Sequence, residues 1–81
     1  MTVEVLLFAS LREAIGESSV RLEVPEGATV SEVAGALLRE REITHMADLP
    51  VRYAVDETFV PDGHILRDGD RVAIIPPVSG G

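Results

Sequence analysis

The sequence predicts an α+β domain, a mixed sheet with one main helix packed across one face. Three observations carry that reading. Val3 to Phe8 and Arg71 to Ile75 are almost continuously apolar, as strands in mid-sheet are. Ser19 to Val24 alternates apolar and polar residues, which marks a strand with one wet face. Between these strands, Val30, Val33, Ala34, Leu37 and Leu38 recur at helical spacing and form one apolar stripe.

The elements follow in order. The first strand, VEVLLF, is succeeded by ASLREAIG, where Ser10 and Glu13 have the spacing of a capping box and Gly16 suits a left-handed helix stop. A helical turn or two is therefore expected before the second strand. In SVRLEV, Val20, Leu22 and Val24 point one way, Arg21 and Glu23 the other. Pro25 to Gly27 ends that strand. Thr29 and Glu32 then form a second capping box at the head of the main helix. Gly35 within this helix costs up to about 1 kcal/mol against Ala, and close packing on the sheet is its expected reason. ITHMADLPV reads as an irregular connection. RYAVDETFV reads as two short strands around Asp56-Glu57, or as one strand and a turn. PDGHILRDGD, with two Asp-Gly pairs and Pro61, is a loop of tight turns. After RVAII, Pro76 and Pro77 end any pairing, since neither can donate a ladder hydrogen bond. The densest strands are the first and the last. Placing them side by side and parallel in mid-sheet gives the β-grasp arrangement of ubiquitin-like proteins, in one domain spanning 1–77 with an extended tail at 78–81.

Composition narrows the chemistry. The 81 residues make one domain with a single modest core, and a hydrophobic fraction of 46% suits a folded chain. The net charge of −7 repels phosphate backbones and anionic lipid, so neither nucleic acid nor membrane is an expected partner, while a basic protein surface is. There is no Cys, which excludes disulfides, thiol catalysis, Cys-ligated zinc and iron–sulfur clusters. No apolar run approaches the roughly 20 residues of a membrane span. MTVEVLLFAS has no basic leader region and carries Glu4 inside its apolar run, so the expected compartment is the cytoplasm. His45 and His64 stand alone without metal-ligand spacing. Asp62, Asp68 and Asp70 lack the spacing of a calcium loop and read as turn formers.

The strongest signal is the end of the chain. AIIPPVSGG sets a Pro-Pro spacer directly after a dense strand and finishes on two glycines. Fully extended, the four residues beyond Pro77 reach about 13–14 Å. The prolines hold the base of such an arm straight, and the glycines keep its tip thin enough for a narrow tunnel in another protein. The group delivered is a carboxylate, a poor electrophile until ATP converts it to an acyl adenylate. An amine can then attack to give ligation, or a sulfur nucleophile to give a thioester or thiocarboxylate. No phosphate-binding glycine loop occurs in the sequence, so activation falls to a separate enzyme. The seven cationic side chains are all Arg, so without Lys or Cys an activated tail finds no side-chain amine or thiol on its own chain.

FASLRE (Phe8 to Glu13) and DGDRVAIIPPVSGG (Asp68 to Gly81) carry a resemblance, over essentially the whole chain, to the small sulfur-carrier subunits of molybdopterin synthase. That resemblance implies that Gly81 is adenylated at the expense of ATP by a ubiquitin-activating-type adenylyltransferase and thiocarboxylated from a sulfur donor. Val78, Ser79, Gly80 and Gly81 would insert into the large subunit of the synthase. There the sulfur would attack precursor Z, a cyclic pyranopterin monophosphate, to build the dithiolene that holds molybdenum or tungsten. Two copies of each subunit would form a heterotetramer. This chain would be a sulfur-donating cosubstrate that binds no cofactor, since catalytic side chains would lie in the large subunit. The family often has an aromatic where this chain has Ile74 or Ile75, a departure that bears on partner affinity.

Ile74 and Ile75 must face opposite sides of the sheet, and one helix covers only one side. The uncovered side near the tail root is therefore an expected docking patch, and the resemblance points to Phe59 and Ile75 with Pro76 and Pro77. Phe8 reads as core or as interface edge. Arg12, Arg39, Arg41, Arg67 and Arg71 are candidate contacts for acidic partner residues or simply solvated charge. Three alternatives stand beside the leading expectation: a carrier for thiamine or tRNA thiolation, a ubiquitin-like modifier conjugated through Gly81, and a non-covalent binding module.

Overall fold

The computed structural model describes residues 1–77. The chain runs β1 (Thr2–Leu7), α1 (Ala9–Ile15), β2 (Ser19–Glu23), α2 (Val30–Glu40), a 3₁₀ helix (Thr44–Asp48), β3 (Arg52–Val55), β4 (Thr58–Val60) and β5 (Arg71–Ile75). One sheet holds all five strands in the order β2-β1-β5-β3-β4. The two dense apolar strands lie adjacent and parallel inside it, Glu4 to Leu7 opposite Arg71 to Ile74. β2 and β4 are the edges, and every other pairing is antiparallel. This is the β-grasp arrangement that the order of elements predicts.

Alternation then sorts the side chains. Val3, Val5 and Leu7 of β1, Val72 and Ile74 of β5, and Tyr53 and Val55 of β3 are buried in one cluster with the stripe of α2. From α2 come Val30, Val33, Ala34 and Leu37, with Leu38 partly buried at the margin. Each fully buried Val or Leu contributes about 1.5–3 kcal/mol. The start of α2 is fixed by the expected capping box. Thr29 Oγ1 accepts from the Glu32 N–H at 3.2 Å, and Glu32 Oε1 accepts from the Thr29 N–H at 3.1 Å.

The loop after β4 returns beneath this helix start. His64 carbonyl accepts the Val30 N–H, Leu66 is buried, and Thr29 forms an antiparallel bridge with Ile65. Two of the loop carboxylates accept backbone hydrogen bonds: Asp70 closes a local turn, and Asp68 ties the loop to the start of β1. Asp68 Oδ1 accepts from the Thr2 N–H and Asp70 Oδ2 from the Arg67 N–H, both at 2.8 Å. Asp56 and Glu57 connect β3 to β4, so the segment forms two strands. Both residues have left-handed φ, 48° and 70°, in the position where Asn-Gly is the usual choice.

Three local expectations change. The Ser10–Glu13 pattern does not cap α1: Phe8 is the cap residue, no side chain bonds the helix start, and Ser10 already lies inside the helix. Ala9, at φ 49°, makes the turn out of β1 instead. The other end is as expected, with Gly16 at φ 84° donating its N–H to the Arg12 carbonyl at 2.8 Å. Gly35 is not wedged against the sheet. A Cβ there would meet only Arg39 Nη1, at 3.4 Å. The glycine instead lines an apolar groove of about 240 Å³ between α2 and the 3₁₀ helix, with Leu38, Met46, Leu49 and Tyr53 among its walls. That 3₁₀ helix occupies the segment expected to be irregular. Among the described residues no helix is long and apolar enough to cross a membrane.

Candidate functional site

The side of the sheet away from α2 is built by the same alternation. On β5, Val72 and Ile74 are 0% and 3% exposed beneath the helix, so Arg71, Ala73 and Ile75 take the open side. The register then lines up one row across four strands: Leu6 opposite Ala73, Ala73 opposite Ala54, Ala54 opposite Phe59. Directly opposed side chains stand about 4.5–5.5 Å apart at Cβ. The row therefore reads large, small, small, large. Its two alanines form the floor of a trough of about 520 Å³ on the open face. Leu6 and Phe8 bound it on the β1 side, Phe59 on the β4 side, and Ile75 lies toward the tail root.

Phe59 is 57% exposed and Phe8 42%, and no other aromatic approaches these values. Arg52 lies in the next row, opposite Ile75, and its guanidinium carbon sits 4.1 Å from the centre of the Phe59 ring. That contact is worth about 0.5–1 kcal/mol at an exposed site and holds the ring on the open face. At the other end of the trough, Arg71 pairs with Glu4 at 3.0 Å. Asp56 and Glu57 reach the same end from the β3–β4 turn, where the Asp56 N–H donates to the Arg71 carbonyl.

The expected docking residues fall as follows. Phe59 and Ile75 share the open face, and Pro77 is exposed. Pro76 is buried and offers no docking surface, as its shared parity with Ile74 requires. Phe8 is an edge of the open face and not core. Leu6, Ala54, Ala73 and Arg52 were not singled out by the sequence, since their alignment exists only through the register of four strands. Val78, Ser79, Gly80 and Gly81 lie outside the described residues. Among the arginines, Arg41 pairs with Glu17 at 3.0 Å, while Arg12, Arg39 and Arg67 are exposed. Among the described residues no three His, Cys, Asp or Glu are placed to hold a metal ion. Tyr53 is the one described group whose ionisation is clearly shifted. Burial first, and the Asp62 charge second, push its phenol above 10.0. It faces the helix side, away from the trough.

The ends of this architecture matter as much as the face. β5 is an inner strand, and its last residue, Ile75, borders the trough. Known proteins share this plan. A molybdopterin synthase sulfur carrier subunit of Arabidopsis thaliana is 34% identical over 79 residues, covering 98% of this chain and 82% of its own length. SAMP1 of Haloferax volcanii, a small archaeal modifier protein, superposes with a TM-score of 0.86 at 28% identity over 100% of both chains. Subunit 1 or 2 in the complex of the Helicobacter pylori molybdopterin-converting factor matches over 100% of both chains, with a TM-score of 0.66 and 27% identity. The model of the ThiS family matches residues 5–81, through the last glycine. A sheet with its first and last strands parallel at the centre, a Gly-Gly end and this span of likeness lead to one conclusion: the chain belongs to the ThiS family.

Proposed function

We propose that this chain is the sulfur carrier of a molybdopterin synthase, working in the cytoplasm as a cosubstrate with the chemistry at Gly81. The observation that carries the reading is the family match through residue 81, on a chain whose VSGG end follows an inner strand and two prolines. In the proposed cycle the Gly81 carboxylate attacks the α-phosphorus of ATP on a ubiquitin-activating-type adenylyltransferase, and pyrophosphate leaves. Hydrosulfide supplied by a donor then attacks the acyl carbon and displaces AMP, and loss of the S–H proton leaves a thiocarboxylate. Val78 to Gly81 carry that sulfur into the large subunit, where it attacks precursor Z toward the dithiolene. The Helicobacter pylori complex of subunits 1 and 2 supports a large-subunit partner, and two copies of each chain complete the proposed heterotetramer. Phe59, Ile75 and Pro77 dock the carrier beside the tunnel that takes the tail.

The test is intact-mass analysis after incubation with ATP, a sulfur source and the cognate adenylyltransferase. Exchange of oxygen for sulfur at the C-terminus is expected. Removing Gly80 and Gly81 abolishes it while melting stays at the wild-type temperature. Function that survives this deletion overturns the reading. A second reading, a protein modifier conjugated through Gly81, is favoured by the likeness to SAMP1 at a TM-score of 0.86. Branched adducts on lysines of other proteins in the same mass analysis select it.

A further inference from the structure

We infer that the trough on the open face is a socket for one bulky apolar side chain of the tail-accepting partner, presented next to a Lys or Arg of that partner. The inference rests on the carrier reading and adds what the partner must look like at this spot.

Four features on the face lead to it. The row Leu6–Ala73–Ala54–Phe59 crosses four strands in register, with its small residues on the two inner strands. A flat docking patch would carry large side chains at its centre; here the centre is recessed. Ala54 is only 7% exposed although it lies away from the helix-side core, so the recess has a closed floor. The wall is also held in place, since Arg52 packs across the Phe59 ring at 4.1 Å. A preorganised wall gains affinity by lowering the ordering cost of binding.

Charge sets the second half of the inference. At the tail end the socket is bounded by Ile75, and at the opposite end by Asp56, Glu57 and Arg71. Arg71 already has Glu4 at 3.0 Å, while neither turn carboxylate has an ion pair among the described residues. Two carboxylates therefore border the socket with no cation of this chain assigned to them. They also occupy a two-residue turn with left-handed φ, where Gly would be unstrained. Charged residues at a conformationally costly turn fit a functional use of that charge. The occupant is a Leu, Met or aromatic side chain with a basic neighbour near the Asp56–Glu57 end. Ile75 borders the same trough, so the occupant shares the open face with the end of β5.

The experiment is calorimetric titration of the cognate large subunit with the full-length wild-type chain and three variants. Ala73→Leu fills the recess, Phe59→Ala removes a wall, and Asp56→Asn/Glu57→Gln discharges the rim. Backbone amide spectra of each variant establish that the sheet is intact. Ala73→Leu is expected to weaken Kd by about thirtyfold or more, as loss of a central anchor does, and Phe59→Ala by about tenfold. The discharged variant is expected to bind about fivefold more weakly and to lose most of the salt dependence of the association rate. If Ala73→Leu or Phe59→Ala folds normally and binds like wild type, the socket is refuted and the carrier reading stands. If the wild-type chain itself fails to bind the large subunit, both fall together.

Discussion

Replacing Gly35 by Ala separates two accounts of why a glycine sits inside α2. If close packing on the sheet required it, a methyl group would clash and the domain would be destabilised. The structure gives the opposite sign. A Cβ at this position meets one atom within 4 Å, Arg39 Nη1 at 3.4 Å, the far end of a flexible side chain on the same helix. No sheet atom is near. The helix-propensity difference between Gly and Ala is about 1 kcal/mol in a helix interior, and the displaced guanidinium gives way at little cost. Gly35 lines the groove that Leu38 and Met46 also border, so the methyl enters open space and not a packed interface. A net stabilisation of about 1 kcal/mol raises the melting temperature of a domain this size by about 4–8 °C. Urea denaturation followed by circular dichroism should show a higher midpoint with an unchanged slope, since the surface exposed on unfolding hardly changes. A lowered or unmoved midpoint would mean that the groove does not tolerate a methyl and that the packing account was right.

Other perturbations follow from the same geometry. Thr29→Ala removes one acceptor and disturbs the reciprocal bond that Glu32 Oε1 accepts from the residue 29 N–H, so it should cost about 1 kcal/mol in the same urea assay; no loss would show the cap to be idle. Changing Asp56-Glu57 to Asn-Gly relieves left-handed φ at two positions and should stabilise the hairpin by about 1 kcal/mol, while weakening capture of the large subunit. Absorbance titration of Tyr53, the one tyrosine, should give a midpoint above 10.0 in the folded chain. Because the folded phenol is harder to ionise than the unfolded one, its contribution is fully present below pH 10 and is lost as pH rises through the folded midpoint. Asp62→Asn should lower that midpoint part of the way, leaving the larger burial effect in place.

Much of this molecule is readable from local pattern because the pattern is tied to burial. The unbroken apolar runs at Val3 to Phe8 and Arg71 to Ile75 place those strands at the centre, and the spacing of Val30 to Leu38 places the helix. Parity alone divides Ile74 from Ile75. Legibility stops where the deciding contact is distant or the motif is short. Ser10-x-x-Glu13 has the letters of a cap, but α1 starts two residues too early for Ser10 to serve, because Ala9 turns the chain directly out of β1. Thr44 to Asp48 carries one inward apolar residue, Met46, too little periodicity to announce a 3₁₀ helix. The Ala73–Ala54 floor depends on the register between β5 and β3, whose partners are some twenty residues apart in sequence. No local signal could have joined them.

The parallel pairing of β1 with β5 also has a mechanical meaning. The two strands run the same way, so the chain enters at one end of the sheet and departs from the other. A pull applied between those ends loads the β1–β5 hydrogen bonds sideways and all together, where an antiparallel pair would unzip rung by rung. The domain can thus bear tension applied between the start of β1 and the end of β5 without coming apart.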